Sequence, residues 1–240
     1  MKFAMVGNER VEAAPKKEAV CPLCLEKVIS KCGNINIWHL SWKNEFPKEQ
    51  QEVTIKPHRA DIQNKEAVVI ELQNSPISIE GIKEREIFYN TMIWLINGET
   101  FAKGLNLRKK DKIYTFRWKN PSKAWWNCKK PLYIDLSYKI NNLRKQLLEI
   151  NNGITIHTPI KTQTYNESTG ETYYETSGYV DTTKQAVKEI EDNIAVLEIS
   201  PILLIKKLYN KLPCGGWGVL ISKQDFLNKF RGEYNGTTNI

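Results

Sequence analysis

The chain has 240 residues, with 35 Lys and Arg against 27 Asp and Glu, a formal net charge of +8, and 41% hydrophobic residues. That content supports a real core and excludes a wholly disordered chain, and no glycine period or sustained heptad points to collagen or a long coiled coil. The length allows one domain, or one domain with an appendage. The most apolar runs, 67–72 and 199–205, fall far short of the roughly 20 residues a bilayer span needs. Residues 1–7 lack the apolar core of a signal peptide, so a cytoplasmic location is expected. Five cysteines, an odd number, fit a reducing compartment better than a disulfide framework.

In chain order, residues 2–6 read as a short strand, followed by a basic lead-in and a compact cysteine knuckle at 21–33; together 1–37 form an N-terminal segment. Residues 38–46 read as a helix stopped by Pro47. Strands are predicted at 52–55, 59–62 and 67–73, the last apolar and β-branched enough for a buried central strand. Ser78 is the predicted N-cap of a helix running from Glu80 through Leu95, with Ile79, Ile82, Ile87, Met92, Ile93 and Ile96 on its apolar side and Asn97-Gly98 at its end. Strands at 114–119 and 131–135 and a short helix at 143–150 complete a core region, 38–150. Residues 151–183, rich in Thr, Tyr, Asn and Gly, read as an inserted hairpin with strands at 162–165 and 171–174. Helices at 183–197 and 201–212, a glycine turn at 214–218, a strand at 219–222 and a helix at 223–230 fill the C-terminal part, 184–232, which packs on the core. Residues 233–240 are a polar tail.

The chemistry centres on two acids. Asp61 ends one predicted strand and Glu71 lies in the next, with Gln73 on the same face as Glu71 and Leu72 opposite. A carboxylate inside Val68-Val69-Ile70-Glu71-Leu72 is costly unless it is paired, hydrogen-bonded or metal-bound. A turn joining the strands would bring Asp61 and Glu71 side by side, where two like charges favour a divalent cation between them. The alternative is an edge-strand Glu facing solvent and a routine turn Asp. The spacing has the shape of an Asp…(Asp/Glu)-x-Lys metal-nuclease core with Gln in the Lys position, chemistry in which Mg2+ activates water and offsets charge on the scissile phosphate. Removing either acid is expected to abolish cleavage and, by relieving repulsion, to leave metal-free stability level or higher.

Three runs carry more than spacing: His58-Arg59-Ala60-Asp61-Ile62; Val69-Ile70-Glu71-Leu72-Gln73-Asn74-Ser75-Pro76-Ile77-Ser78; and Glu84-Arg85-Glu86-Ile87-Phe88-Tyr89-Asn90-Thr91-Met92-Ile93-Trp94. They resemble the competence protein CoiA-like family, a PD-(D/E)xK nuclease-like group, closely over about residues 20–100 and loosely beyond. The resemblance implies an α/β fold with a restriction-endonuclease-like core, that is, a central mixed sheet flanked by helices, plus an N-terminal zinc-knuckle-like segment and an inserted hairpin. It implies a metal-dependent deoxyribonuclease with Asp61 and Glu71 as ligands of Mg2+ or Mn2+ and Gln73 in the place of the usual Lys. Arg85 and Tyr89, spaced i, i+4, would stand behind the acids; otherwise they are a surface Arg and a core Tyr. Gln holds a water but does not stabilise charge as Lys does. The alternative function is therefore a catalytically silent DNA-binding module of the same fold, acting in DNA uptake, recombination or phage DNA handling.

Cys21, Cys24, Cys32 and His39 supply four ligands for a structural Zn2+, the alternative being reduced thiols without metal. CoiA-like proteins carry a similar knuckle followed by His-x2-His. Here Trp42 stands three residues after His39, so the segment 37–43 serves both for the knuckle and for the nuclease helix, and His39 belongs to one or the other. Residues 103–145 hold 13 Lys and Arg against Asp111 and Asp135, a local balance of +11. That block reads as a polyanion-binding face or as a solvated Lys-rich surface. The candidate DNA contacts are Lys109, Lys110, Lys112, Arg117, Lys129 and Lys130 for phosphates, and Trp125 and Trp126 as a platform for unpaired bases of single-stranded DNA. Phe116 and Trp118 are expected in the core.

Overall fold

A computed structural model of the chain describes residues 3–6, 9–12, 18–20, 27–29, 37–166, 169, 171–209 and 214–231. The chain divides into two compact units, 1–136 with 200–240, and 137–199. The first begins with four short strands, β1 (Phe3–Val6), β2 (Glu9–Glu12), β3 (Glu18–Val20) and β4 (Lys27–Ile29), in an antiparallel sheet of order β2-β1-β3-β4. Cys21, Cys24 and Cys32, and with them the expected knuckle, lie outside the described residues.

Helix α1 (Ile37–Asn44) leads into a meander of β5 (Gln51–Ile55), β6 (His58–Gln63) and β7 (Val69–Gln73). Helix α2 (Ile79–Tyr89) returns the chain to β8 (Met92–Asn97), which runs parallel to β7. A short helix α3 (Gly98–Phe101) and a hairpin of β9 (Leu105–Lys110) and β10 (Ile113–Trp118) precede β11 (Leu132–Asp135), parallel to β8. The second unit consists of α4 (Tyr138–Asn151), a long hairpin of β12 (His157–Asn166) and β13 (Glu171–Asp181), and α5 (Thr183–Ile199). The first unit resumes with β14 (Ile202–Tyr209), β15 (Gly215–Ile221) and α6 (Lys223–Arg231). The result is an α/β protein whose large mixed sheet has nine strands in the order β5-β6-β7-β8-β11-β14-β15-β10-β9. No helix among the described residues is long and apolar enough to cross a membrane.

The central strands explain the layering. β7, β8 and β11 are buried along their whole length, as strands covered on both faces must be. Alternation sends Ile70, Leu72, Ile93, Leu95 and Tyr133 toward one face, where Trp42 and Phe46 after α1's first turns and Phe226, Leu227 and Phe230 of α6 cover them. Each such buried side chain contributes about 1.5–3 kcal/mol. Trp94, on the opposite face, meets the edge of Trp125, 5.4 Å between ring centroids, and donates its indole N–H to Glu86 of α2.

Four expectations are corrected. The helix expected to run to Leu95 stops at Tyr89, and Asn90 takes a positive φ of 51°. Residues 92–97 are instead a central strand, because Met92-Ile93-Trp94-Leu95-Ile96 is apolar on both sides and finds β7 and β11 as neighbours. Ile87, placed on the helix's apolar side, is 80% exposed. The segment expected as a helix at 201–212 is β14, paired with β11 and β15. The glycine turn at 214–218 belongs to β15, where a Cβ at Gly216 or Gly218 would collide with the carbonyls of Lys207 and Leu204 of the neighbouring strand; these glycines let the strands close. β9 had no sequence counterpart. The insertion also takes in both flanking helices, since its compact unit spans 137–199.

Candidate functional site

Helix α1 uses i, i+4 spacing twice. Trp38 and Trp42 donate their indole N–H groups to Oδ2 of Asp135 at the end of β11, at 2.7 and 2.9 Å. One step round the helix, His39 and Lys43 reach Asp61 of β6: Nζ of Lys43 lies 2.8 Å from Oδ1, and Nε2 of His39 3.3 Å from Oδ2. Lys43 is buried and also bonds Glu52 at 3.0 Å, which in turn pairs with Arg59.

Asp61 occupies a gap in the sheet. β6 and β7 pair only at Ile62↔Ile70 and Gln63↔Val69, next to a turn tied by Asn64, whose side-chain oxygen accepts from Glu66 and Val68 N–H and whose amide donates to the Phe230 carbonyl. Beyond that the strands part. The backbone groups of Leu72, which a continued ladder would have used, find other partners: its N–H donates to Oδ2 of Asp61 at 3.1 Å, and its carbonyl lies 2.9 Å from Nε2 of His39. The side chain of Asp61 thus completes the ladder where the backbone cannot.

Glu71, one residue earlier on β7, points to the α2 face, with 3% of its side chain exposed. Arg85 of α2 donates to its Oε2 at 2.9 Å, while Oε1 is buried without a hydrogen-bond partner. The two acids titrate in opposite directions. Desolvation, then the charge of Asp61, push the Glu71 carboxyl up to about 8, against the lowering effect of Arg85. Desolvation also acts on Asp61, but the hydrogen bond from His39 and the charges of Lys43 and His39 outweigh it and hold the carboxyl well below the usual range. The environment therefore drives the two apart, Glu71 toward its protonated form and Asp61 toward its ionised one. Burial, then the nearby Glu71, raise the Tyr89 phenol, so Arg85 and Tyr89 both bear on Glu71, as the sequence placed them.

Gln73 is buried on β7, but its amide donates to the carbonyl of Ser75 at 2.6 Å; Lys43, from another element, brings the cation to the acids. The signal for Lys43 was its place four residues after His39 on one helix face. Among the described residues no group of three or more His, Cys, Asp or Glu is arranged to hold a metal. The oxygen donors present are the Asp61 carboxylate, the partnerless Oε1 of Glu71 and the Leu72 carbonyl, a set that suits a hard divalent cation.

No protein-family model matches the chain. No curated protein and no solved structure matches it either.

The basic block is not one surface. Lys109, Lys110 and Lys112 are exposed on the β9–β10 hairpin and Arg117 on β10, and β9 lies at the far edge of the sheet, six strand steps from β7. Trp118 and Phe116 are in the core, and so is Trp125, 1% exposed between Trp94 and Phe101, where a base cannot stack on it. Trp126 is half-buried. Lys129 and Lys130 sit on the loop before β11, which buried Glu86 holds by accepting from both their backbone N–H groups at 3.0 and 3.1 Å and from the Cys128 thiol at 3.1 Å. Burial, then Glu86, push that thiol up, so Cys128 stays protonated. Glu86→Gln keeps the shape but turns one acceptor toward these donors into a donor. The expected cost is about 1–3 kcal/mol in urea unfolding; an unchanged midpoint would show that water, not Glu86, satisfies the loop.

Proposed function

We propose that this protein is a divalent-metal-dependent deoxyribonuclease of the PD-(D/E)xK kind, resembling the CoiA-like family. The observation that carries the reading is the Asp61 carboxylate set into the gap between β6 and β7, beside a buried Glu71 with a partnerless oxygen. The order helix, three-strand meander, helix, parallel strand supports a restriction-endonuclease-like core. Asp61, Glu71 and the Leu72 carbonyl would hold Mg2+ or Mn2+, which when bound supplies positive charge against the charge developing on the scissile phosphate. Lys43 takes the place left by Gln73: it keeps Asp61 ionised and presents a cation at the acids. Arg85 and Tyr89 position Glu71. A structural Zn2+ on Cys21, Cys24 and Cys32 remains part of the proposal; His39, engaged with Asp61 and Leu72, serves the acid pair in this reading.

The silent DNA-binding alternative also has an observation in its favour: Lys43 and Arg85 already occupy the two acids, and among the described residues no group of three or more His, Cys, Asp or Glu is arranged for metal. Incubation of plasmid and single-stranded DNA with Mg2+ or Mn2+ separates the two. Cleavage is expected, and Asp61→Asn, which keeps the shape of the side chain, should lower its rate on the order of a thousand-fold, the equivalent of several kcal/mol of charge stabilisation. DNA binding without cleavage under any divalent metal would establish the silent module.

A further inference from the structure

A groove of about 500 Å³ opens beside the β11–β14 pair, lined by Lys129, Lys130, Lys206, Lys207 and Lys229 together with Trp126, and by no acidic residue. Two structural devices build its walls. On one side Glu86 fixes the loop that carries Lys129 and Lys130. On the other, β14 runs past the start of β11: Leu132 pairs with Ile205, and among the described residues Lys207, Leu208 and Tyr209 pair with β15 alone. The register shifts between Ile205 and Lys207. In a regular strand consecutive side chains point to opposite faces, but an irregularity of this kind re-aims them, and both Lys206 and Lys207 line the groove. Lys130 donates to the Asn90 carbonyl, Lys207 lies over the Tyr209 ring and Lys229 over the Phe230 ring. Among the described residues none of the five forms an ion pair with a carboxylate.

Five cations around one groove repel each other unless an anion enters. Lysines from two facing walls suit a chain of phosphates better than a single one. The volume matches a ligand of drug size, that is, a short stretch of single strand, and is too small for a duplex. Trp126 offers the half-buried ring on which a base can stack. The groove also shares a transverse row with the acid pair, since Glu71 pairs with Trp94, Trp94 with Leu132 and Leu132 with Ile205. Three strand steps of about 4.8 Å put β14 roughly 15 Å from β7.

We infer that this groove is a binding site for the phosphodiester backbone of a single nucleic-acid strand, held a few nucleotides from Asp61 and Glu71. The inference rests on the proposed reading for its substrate class, and it adds Lys206 and Lys207, which lie far in sequence from the basic block. Fluorescence anisotropy of a labelled oligothymidylate against the full chain over a salt series tests it. Lys129→Gln/Lys206→Gln/Lys207→Gln, all at exposed positions, should weaken binding at least about tenfold and flatten the salt slope by about 2, at roughly 0.7 per phosphate contact on single strands. No binding by the wild type, unchanged affinity and slope in the triple variant, or displacement by tripolyphosphate at equal phosphate concentration would overturn the inference. Groove-dependent binding without cleavage under any metal would end the nuclease reading and leave the groove; cleavage with groove-independent binding would do the reverse.

Discussion

Glu71→Gln is expected to raise the metal-free stability of this protein at pH 8 and to leave it nearly unchanged at pH 4. The ordinary carboxyl value is 4.5, and in the folded protein burial and Asp61 push Glu71 up to about 8. Below 4.5 both folded and unfolded chains hold the proton, so the group contributes nothing to the pH dependence. Between 4.5 and 8 the unfolded chain releases it while the folded chain keeps it, so stability falls as pH rises; above 8 the whole penalty is present. At about 1.4 kcal/mol per tenfold, that penalty is on the order of 3–5 kcal/mol. Glutamine mimics the protonated acid: it can accept from Arg85, and its remaining amide group sits where Oε1 already lacks a partner. A rise in unfolding temperature on the order of 5–10 °C at pH 8 with chelator present is the expected readout. An equal effect at both pH values would show that Glu71 ionises normally and that the pair shares no proton.

Asp61→Ala should act with the opposite sign. It removes the acceptor of Leu72 N–H and leaves buried Lys43 with Glu52 as its remaining carboxylate, one it shares with Arg59. Removing one partner from a buried ion network costs about 3–5 kcal/mol, so urea unfolding at pH 7 should shift by that order. Because the folded Asp61 carboxyl is held below its ordinary 3.8, the ionised form stabilises the fold above that pH, and the contribution is lost as pH falls through the folded value. The deficit of the variant should therefore shrink in acid. A variant as stable as the wild type at pH 7 would reduce the network to a solvated pair. The structure therefore keeps the expectation that removing an acid leaves stability level or higher for Glu71 alone and reverses its predicted sign for Asp61, which the cations of α1 pair.

Much of the site was legible beforehand for physical reasons. The turn between the strands of Asp61 and Glu71 allowed the two acids to come near each other, and an acid in an apolar β-branched run is costly unless it is partnered. The i, i+4 spacing put Arg85 and Tyr89 on one side of α2; that this side meets Glu71 came from the packing of α2 on β7. The cores of β7, β11 and α6 announced themselves by composition. Residues 92–97 and 202–209 did not, because a short apolar run fits a buried strand or a helix equally well; only the presence of β7, β11 and β15 alongside them made the strand the state that satisfies their backbone groups. A contiguous basic block looked like one surface because sequence reports charge along the chain, whereas within the first unit the β9–β10 hairpin and the loop held by Glu86 carry its parts to different strands of the sheet. Which acid keeps the proton was likewise undecidable from residues 61 and 71 alone. It depends on α1 delivering His39 and Lys43 to one carboxylate and α2 delivering a single Arg85 to the other, a difference in local field that exists only once the helices have packed on opposite faces of the sheet.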